Sequence, residues 1–117
     1  IGAQGIMPHC DGPCYHPVVA IISLQDTVIM DFRPRLDTKA IGAQSSQPIL
    51  ELVLRPRSLL IFQDEAFTAY MHGIEAVSAQ VAGATAPIAN AMAAQCNKGD
   101  VVVRGTRLSL TIRHKMK

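Results

Sequence analysis

The sequence comprises 117 residues, of which 49% are hydrophobic and 17% are charged, and its formal net charge is +2. This length allows one domain with an adequate core, and so small a charge does not by itself predict a nucleic-acid surface. The longest apolar run, residues 17–23, is too short for a bilayer span of about 20 residues. The three cysteines cannot all pair, and no signal-peptide pattern precedes them, which favours a reducing compartment, the cytoplasm or the nucleus.

The first predicted elements are two β-branched runs in residues 18–32, VVAIISLQDTVIMDF. The Gln25-Asp26 pair between them is typical of a turn, so we expect an antiparallel strand pair. A polar loop containing proline follows. Two more strands are predicted at residues 49–54 (ILELVL) and 58–63 (SLLIFQ), and Arg55-Pro56-Arg57 separates them because proline cannot donate to a central ladder.

The second half of the chain contains one irregular segment and one clear strand pattern. Residues 76–99 are rich in alanine, but glycine, proline and asparagine interrupt them, so an irregular insertion is predicted. Residues 101–114 (VVVRGTRLSLTIRH) have the clearest strand pattern, with a bend or bulge expected at Arg104-Gly105. Short strands, intervening turn residues and little helix together predict an all-β sandwich, barrel or jelly roll.

Potential metal ligands are concentrated in residues 8–17, PHCDGPCYHP. Cysteine thiolates and histidines bind zinc tetrahedrally, and a structural site can combine such ligands from distant parts of a chain. One hypothesis is therefore a zinc site formed by four side chains, namely Cys10, Cys14, His16 and Cys96. Such a site would make the protein a small zinc-stabilised binding module.

A second hypothesis uses His9 and Asp11 as the metal ligands. Residues two apart on an extended strand project from the same face and can converge on one ion. With one more histidine they would form the facial triad of non-haem iron(II) oxygenases. His72, in the segment AYMHGIE, is the expected third ligand, and His16 and His114 are its rivals.

The last predicted strand alternates between polar and apolar residues. Its polar members are Arg107, Ser109, Thr111 and Arg113, and its apolar members are Leu108, Leu110 and Ile112. A solvated outer face would give the same pattern. However, two arginines six residues apart lie roughly 20 Å apart on an ideal strand, and their long side chains can lean toward an anion between them. Because a guanidinium binds a carboxylate through two parallel hydrogen bonds, Arg107 and Arg113 are candidates for binding a dicarboxylic co-substrate.

Taken together, five segments resemble the iron(II)- and 2-oxoglutarate-dependent AlkB family, in particular its sixth animal and plant branch. They are GIMPHCDGPCYHPVVAIISL, VIMDF, LRPRSLLIF, MHGI and VRGTRLSLTIRH. The resemblance implies that His9, Asp11 and His72 ligate iron(II). It also implies that Arg107 pairs with the distal carboxylate of 2-oxoglutarate, and that Arg113 lies near the metal-proximal end of that co-substrate and near Asp11.

The same resemblance implies a double-stranded β-helix, a jelly roll whose polar interior holds the site. The expected activity is oxidative demethylation of alkylated nucleic acid with dioxygen as co-substrate, which makes DNA or RNA the expected partner. Action on a protein side chain is a further option. The zinc-stabilised module and a catalytically inactive relative that binds nucleic acid are the alternative hypotheses.

One element of the family pattern is missing from the segment before the His-x-Asp motif. Family members carry an Asn-x-Tyr element there that contributes to 2-oxoglutarate binding, and this sequence reads IGAQG. We therefore expect residues 1–117 to be the C-terminal part of one dioxygenase domain, incomplete at the N-terminus. Residues 33–48 and 76–99 are expected to be variable loops. A jelly roll without its early strands would have open sheet edges.

Overall fold

The computed structural model of the protein describes residues 5–35 and 47–116. These residues form β-strands and two helices of four residues each. In chain order the elements are β1 (Ile6–His9), β2 (Tyr15–Ser23), β3 (Val28–Pro34), β4 (Leu50–Leu54), β5 (Ser58–Gln63), α1 (Glu65–Thr68), β6 (Tyr70–Ile74), β7 (Ala79–Val81), α2 (Ala91–Ala94), β8 (Val101–Val103) and β9 (Ser109–Lys115). Within the described residues, neither helix is long and apolar enough to cross a bilayer.

The strands form a four-stranded sheet in the order β1-β6-β3-β4 and a three-stranded sheet in the order β5-β2-β9. A small third sheet consists of β7 and β8. The paired strands are antiparallel. The predicted all-β fold of the jelly-roll type is confirmed, since consecutive strands pass between two sheets that share one core.

The predicted pairing of the two strands in residues 18–32 is wrong. Both strands exist, but β2 pairs with β5 and β9, whereas β3 pairs with β4 and β6. Each strand turns one apolar face toward the space between the sheets, where Val19 and Ile21 of β2 meet Val28 and Met30 of β3. Because these two faces are buried against each other, the chain passes from one sheet to the other at Gln25-Asp26 and does not form a hairpin within one sheet.

The core lies between the two larger sheets. The three-stranded sheet contributes residues such as Val19 and Phe62, and the four-stranded sheet contributes Phe32 and Ile74. The rings of Phe32 and Phe62 meet edge to face with centroids 5.4 Å apart. These large side chains hold the sheets together, and they also form one wall of the site described below.

Strand β9 turns its polar face inward. Ser109, Thr111 and Arg113 lie opposite residues of β2 that face the interior, whereas Leu110 and Ile112 are 52% and 56% exposed. The polar face of residues 107–113 is therefore not the outer face of the sheet, although Thr111 and Arg113 on it keep exposed surface. The inward face brings Arg113 into the space between the sheets.

The predicted final strand is divided into β8 and β9, which lie in different sheets. The break occurs at residues 104–108, and a bend at Arg104-Gly105 was expected. A Cβ at position 105 would collide with the carboxylate of Asp26. Glycine therefore lets the chain pass close to the β2–β3 connection before it enters β9.

The segment 76–99 contains β7 and α2 and is otherwise irregular. The Glu51 carboxylate of β4 anchors it, because it accepts hydrogen bonds from the Gly83 amide at 2.9 Å and the Thr85 hydroxyl at 2.6 Å. In the other expected variable loop, β3 continues to Pro34, so residues 33 and 34 belong to a strand. Residues 36–46 of that loop lie outside the described residues.

Candidate metal centre

Strand pairing brings the two expected histidine ligands together. Strand β6 lies between β1 and β3, and the β1–β6 register places His9 directly opposite His72. Their ring centroids are 4.4 Å apart. Gly73 permits this close approach, since a Cβ there would lie 2.9 Å from the Ile6 carbonyl oxygen. In the sequence Gly73 directly follows His72, and a glycine inside a strand often marks a close approach of another backbone segment.

Asp11 completes a group of three ligands with these histidines. Its carboxylate oxygens lie 3.9 Å from His9 Nε2 and 3.8 Å from His72 Nε2, and the ligand atoms of the three residues all lie within 4.8 Å of one another. The sequence argument placed both motif residues on one strand, but β1 ends at His9, so Asp11 reaches the site from the following loop. In residues 5–35 and 47–116, no other group of three or more His, Cys, Asp or Glu side chains is similarly placed.

The two oxygens of the Asp11 carboxylate have different environments. The side chain is 2% exposed, and Arg113 donates from both Nε and Nη2 to Oδ1, each at 2.9 Å. Oδ2 is buried and has no hydrogen-bond partner among the described residues. A buried carboxylate oxygen without a partner is costly, and a cation between Oδ2 and the two imidazoles would satisfy it. The residues present therefore fit a metal ion.

The hydrogen bond of His9 leaves one ring nitrogen available to a metal. Nδ1 lies 3.0 Å from the carbonyl oxygen of Met7, and a carbonyl can only accept, so we assign the proton to Nδ1. Nε2 then keeps its lone pair and faces Asp11. A backbone carbonyl commonly orients metal-binding histidines in this way.

His72 is kept neutral by its surroundings. Its side chain is 7% exposed, and its ring packs against Phe62 and Phe32 with centroid distances of 4.9 Å and 5.8 Å. Burial, and after it the neighbouring His9, lower the pKa of His72 from 6.5 to about 4, although Asp11 acts in the opposite direction. A neutral imidazole is the form that ligates metals.

A known protein is similar in sequence to this chain. A zebrafish (Danio rerio) protein named "Probable RNA/DNA demethylase ALKBH6" is 40% identical over 114 residues, which cover 95% of this chain and 48% of that protein. The chain belongs to the AlkB-like family. It spans about half the length of this curated relative. No protein-family model matches this chain.

The AlkB-like chain positions Arg113 through β9. Its register places Arg113 opposite Val19 of β2, and its guanidinium carbon lies 5.5 Å from the centroid of the Tyr15 ring. Tyr15 was not among the predicted site residues. Its ring and the Asp11 carboxylate together restrict the guanidinium, so Arg113 can orient Asp11.

Arg107 of the AlkB-like chain lies in the connection before β9. The argument from ideal strand spacing was therefore wrong, because Arg107 and Arg113 do not share a strand. Arg107 lines a cavity of about 180 Å³ with Ile6, Ile74 and Arg104. Its Nε is buried without a hydrogen-bond partner among the described residues, and burial together with the Arg104 charge lowers its pKa. An anion in this cavity would find an unpaired donor.

The four side chains of the alternative zinc hypothesis do not come together in the AlkB-like chain. The Cys10 thiol donates to the Tyr70 carbonyl at 3.4 Å, and Cys14 is exposed. Cys96 is buried in a separate apolar cluster. His16 packs against His114 with ring centroids 4.5 Å apart, so neither of the two rivals replaces His72 at the metal centre. The prediction fails because chain proximity in residues 8–17 does not determine which way each side chain points.

Proposed function

We propose that this chain carries the metal and co-substrate sites of an iron(II)- and 2-oxoglutarate-dependent dioxygenase that demethylates alkylated nucleic acid. The observation that carries the proposal is the convergence of two imidazoles and a carboxylate with an unpartnered oxygen. Two histidines and one carboxylate with open positions are typical of non-haem iron(II) oxygenases. The name of the zebrafish relative supports a nucleic-acid substrate, and we place the protein in the cytoplasm or the nucleus.

In this proposal His9, Asp11 and His72 hold iron(II) through Nε2, Oδ2 and Nε2. When bound, the metal supplies, with 2-oxoglutarate and dioxygen, the oxidising chemistry that hydroxylates an N-methyl group, after which formaldehyde is released. The protein contributes orientation. The Phe32 and Phe62 rings exclude water from one side of His72 and fix its plane.

The two arginines have separate roles in the proposal. Arg113 holds the Asp11 carboxylate in place by occupying Oδ1, which leaves Oδ2 for the metal. Such partners of a ligand commonly contribute about 10–100-fold to metal affinity or activity. Arg107 binds the distal carboxylate of 2-oxoglutarate, because its buried Nε needs an acceptor and a guanidinium matches the geometry of a carboxylate.

Anaerobic titration with iron(II) tests the metal site. We expect one equivalent to bind to the wild-type chain and to Cys14→Ser, and we expect His72→Ala to lose it. The serine variant is the matched control because Cys14 does not belong to the His9-Asp11-His72 group. Equal iron uptake by the wild type and His72→Ala would refute the assignment of the metal ligands.

A second measurement separates co-substrate binding from catalysis. Addition of 2-oxoglutarate to the iron-loaded protein should produce a charge-transfer absorption band. Arg107→Met should weaken this binding, whereas Arg57→Met, at a charged residue of the β4–β5 connection, should not. Succinate release in air would establish turnover, and iron binding without succinate release would contradict the catalytic part of the proposal.

A further inference from the structure

A pair of histidines lies at the end of the β2–β9 ladder. His16 and His114 are both exposed, and their rings lie 4.5 Å apart with an interplanar angle of 39°. They belong to the outward face of the three-stranded sheet, as do Leu110 and Ile112, which are 52% and 56% exposed. Arg113, the neighbour of His114, points inward to Asp11. The histidine pair is therefore on the opposite side of the sheet from the candidate metal centre.

The strand register places two sulfur-containing residues beside this pair. Tyr15 lies opposite Lys115, and the β2–β9 register shifts between Tyr15 and Val19, the stretch that contains His16. One step outward, the Met116 amide donates to the Cys14 carbonyl at 2.8 Å, which extends the ladder. Cys14 directly precedes β2 and Met116 directly follows β9, so both residues lie next to the His16–His114 contact at the end of the ladder and make up a group of four residues with it.

The composition of this group determines the metal that it suits. Imidazole nitrogens bind several late transition metals, but thiolate and thioether sulfurs are soft donors that select copper(I). A thioether in particular is a poor ligand for the harder divalent ions. The group contains no carboxylate, in contrast to the His9-Asp11-His72 centre, so the two sites differ in the metal that they favour.

We propose that Cys14, His16, His114 and Met116 form a copper(I) site on the outer face of the protein, independent of the candidate iron centre. The histidine pair is its preformed half. Cys14 is exposed and Met116 is 42% exposed, so both sulfur side chains can rotate toward the ion without displacing packed neighbours. The bound ion links the first residues of β2 to the last residues of β9, and this cross-link stabilises the folded state.

Anaerobic competition for copper(I) against a colorimetric chelator tests this site. We expect one equivalent to bind to the metal-free protein. His114→Ala should weaken binding by more than about 100-fold, because even the partners of ligands commonly contribute about 10–100-fold. Cys14→Ser and Met116→Leu should each weaken it by about tenfold or more. His9→Ala, the matched control at the other imidazole pair, should leave the copper affinity unchanged.

Several results would overturn the proposal. If no copper binds, or if His9→Ala loses it and His114→Ala keeps it, then the outer site does not exist. If Cys14→Ser and Met116→Leu both bind as the wild type does, then the sulfurs are not ligands. Circular dichroism of the metal-free variants checks their folding, and His16→Gln provides a second test of the histidine pair should His114→Ala unfold. Loss of iron binding would not affect these outcomes, since the sites share no residue.

Discussion

Replacing Arg113 by methionine should destabilise the metal-free protein mainly through the effect on Asp11. Methionine keeps an apolar stem of similar length but removes both donors to Oδ1, which are 2.9 Å away. The Asp11 side chain is 2% exposed, so water cannot replace these donors without a rearrangement. A buried carboxylate would then have no partner on either oxygen, which is a costly state in a folded protein.

The structure permits a rough magnitude for this effect. A hydrogen bond to a charged group contributes about 1.5–3 kcal/mol, but both donors share one oxygen, and the Arg113 side chain is 34% exposed. Solvent screening weakens such a pair, so we expect the Arg113–Asp11 interaction to contribute about 2 kcal/mol. Loss of the contact with the Tyr15 ring adds about 0.5–1 kcal/mol to the effect of the single substitution.

A double-mutant cycle measured by urea unfolding separates these contributions. The cycle compares the wild type, Arg113→Met, Asp11→Leu and the double variant, all with a chelator present so that no metal contributes. Leucine resembles aspartate in shape but cannot accept a hydrogen bond. Because the Tyr15 contact is lost in both backgrounds, the coupling free energy reports the Arg113–Asp11 interaction alone, and we expect about 2 kcal/mol.

Additivity would refute this reasoning. If the two substitutions add to within about 0.5 kcal/mol, the residues do not interact energetically, as is usual for distant sites. Arg113 could then not be the residue that orients Asp11. Arg57→Met serves as the control cycle with Asp11→Leu, because the two residues belong to separate connections and should show no coupling.

Two further predictions concern β6 and its neighbour β1. Gly73→Ala should destabilise the protein by about 1–3 kcal/mol and weaken metal binding. The reason is that the new Cβ would lie 2.9 Å from the Ile6 carbonyl oxygen and push the paired strands apart. Urea unfolding measures the loss of stability, and iron(II) titration measures the loss of metal affinity. The pKa of His72 is about 4 in the folded protein against an ordinary 6.5, so the unfolded chain binds the proton more tightly than the folded protein does. The metal-free protein should therefore lose about 2–3 kcal/mol as the pH falls from 6.5 to 4, and His72→Gln should remove this loss in chemical unfolding measured across that range.

Each of these predictions has a contradicting result. A Gly73→Ala variant with unchanged stability and unchanged iron affinity would mean that β1 and β6 are not packed closely at this position. Parallel stability profiles of the wild type and His72→Gln between pH 6.5 and 4 would mean that the folded state does not disfavour the protonated imidazole. The folded pKa of His72 would then lie near its ordinary value.

Several features could be predicted from local patterns in the sequence. Runs of β-branched residues indicated β2 and β3, and the apolar runs on either side of Arg55-Pro56-Arg57 indicated β4 and β5, because strand-forming patterns are local. The interruption at residues 104–105 was also visible, since glycine and arginine break an otherwise apolar run. His9, Asp11 and His72 were identified through a resemblance in motif order, and the spacing of two residues between the first pair was weak evidence without it.

Strand partners and side-chain directions could not be predicted in the same way. The pairing of β2 with β3 failed because a turn-like sequence permits both a hairpin and a crossing between sheets, and only the burial of two apolar faces decides between them. The zinc site failed for a related reason. Cys10 belongs to the motif, but its thiol donates to the carbonyl of Tyr70. Cys96 is buried, but it belongs to an apolar cluster.

The sequence by itself determined which candidate ligand residues this chain contains and where several of its strands lie. Only the tertiary structure decided that Asp11 presents one oxygen to Arg113 and that its other oxygen has no hydrogen-bond partner within residues 5–35 and 47–116. It also decided that His16 meets His114 on the opposite face of the sheet. The physical reason is that side-chain chemistry and strand periodicity are local, whereas the approach of residues a hundred positions apart depends on how two sheets bury their apolar faces against each other.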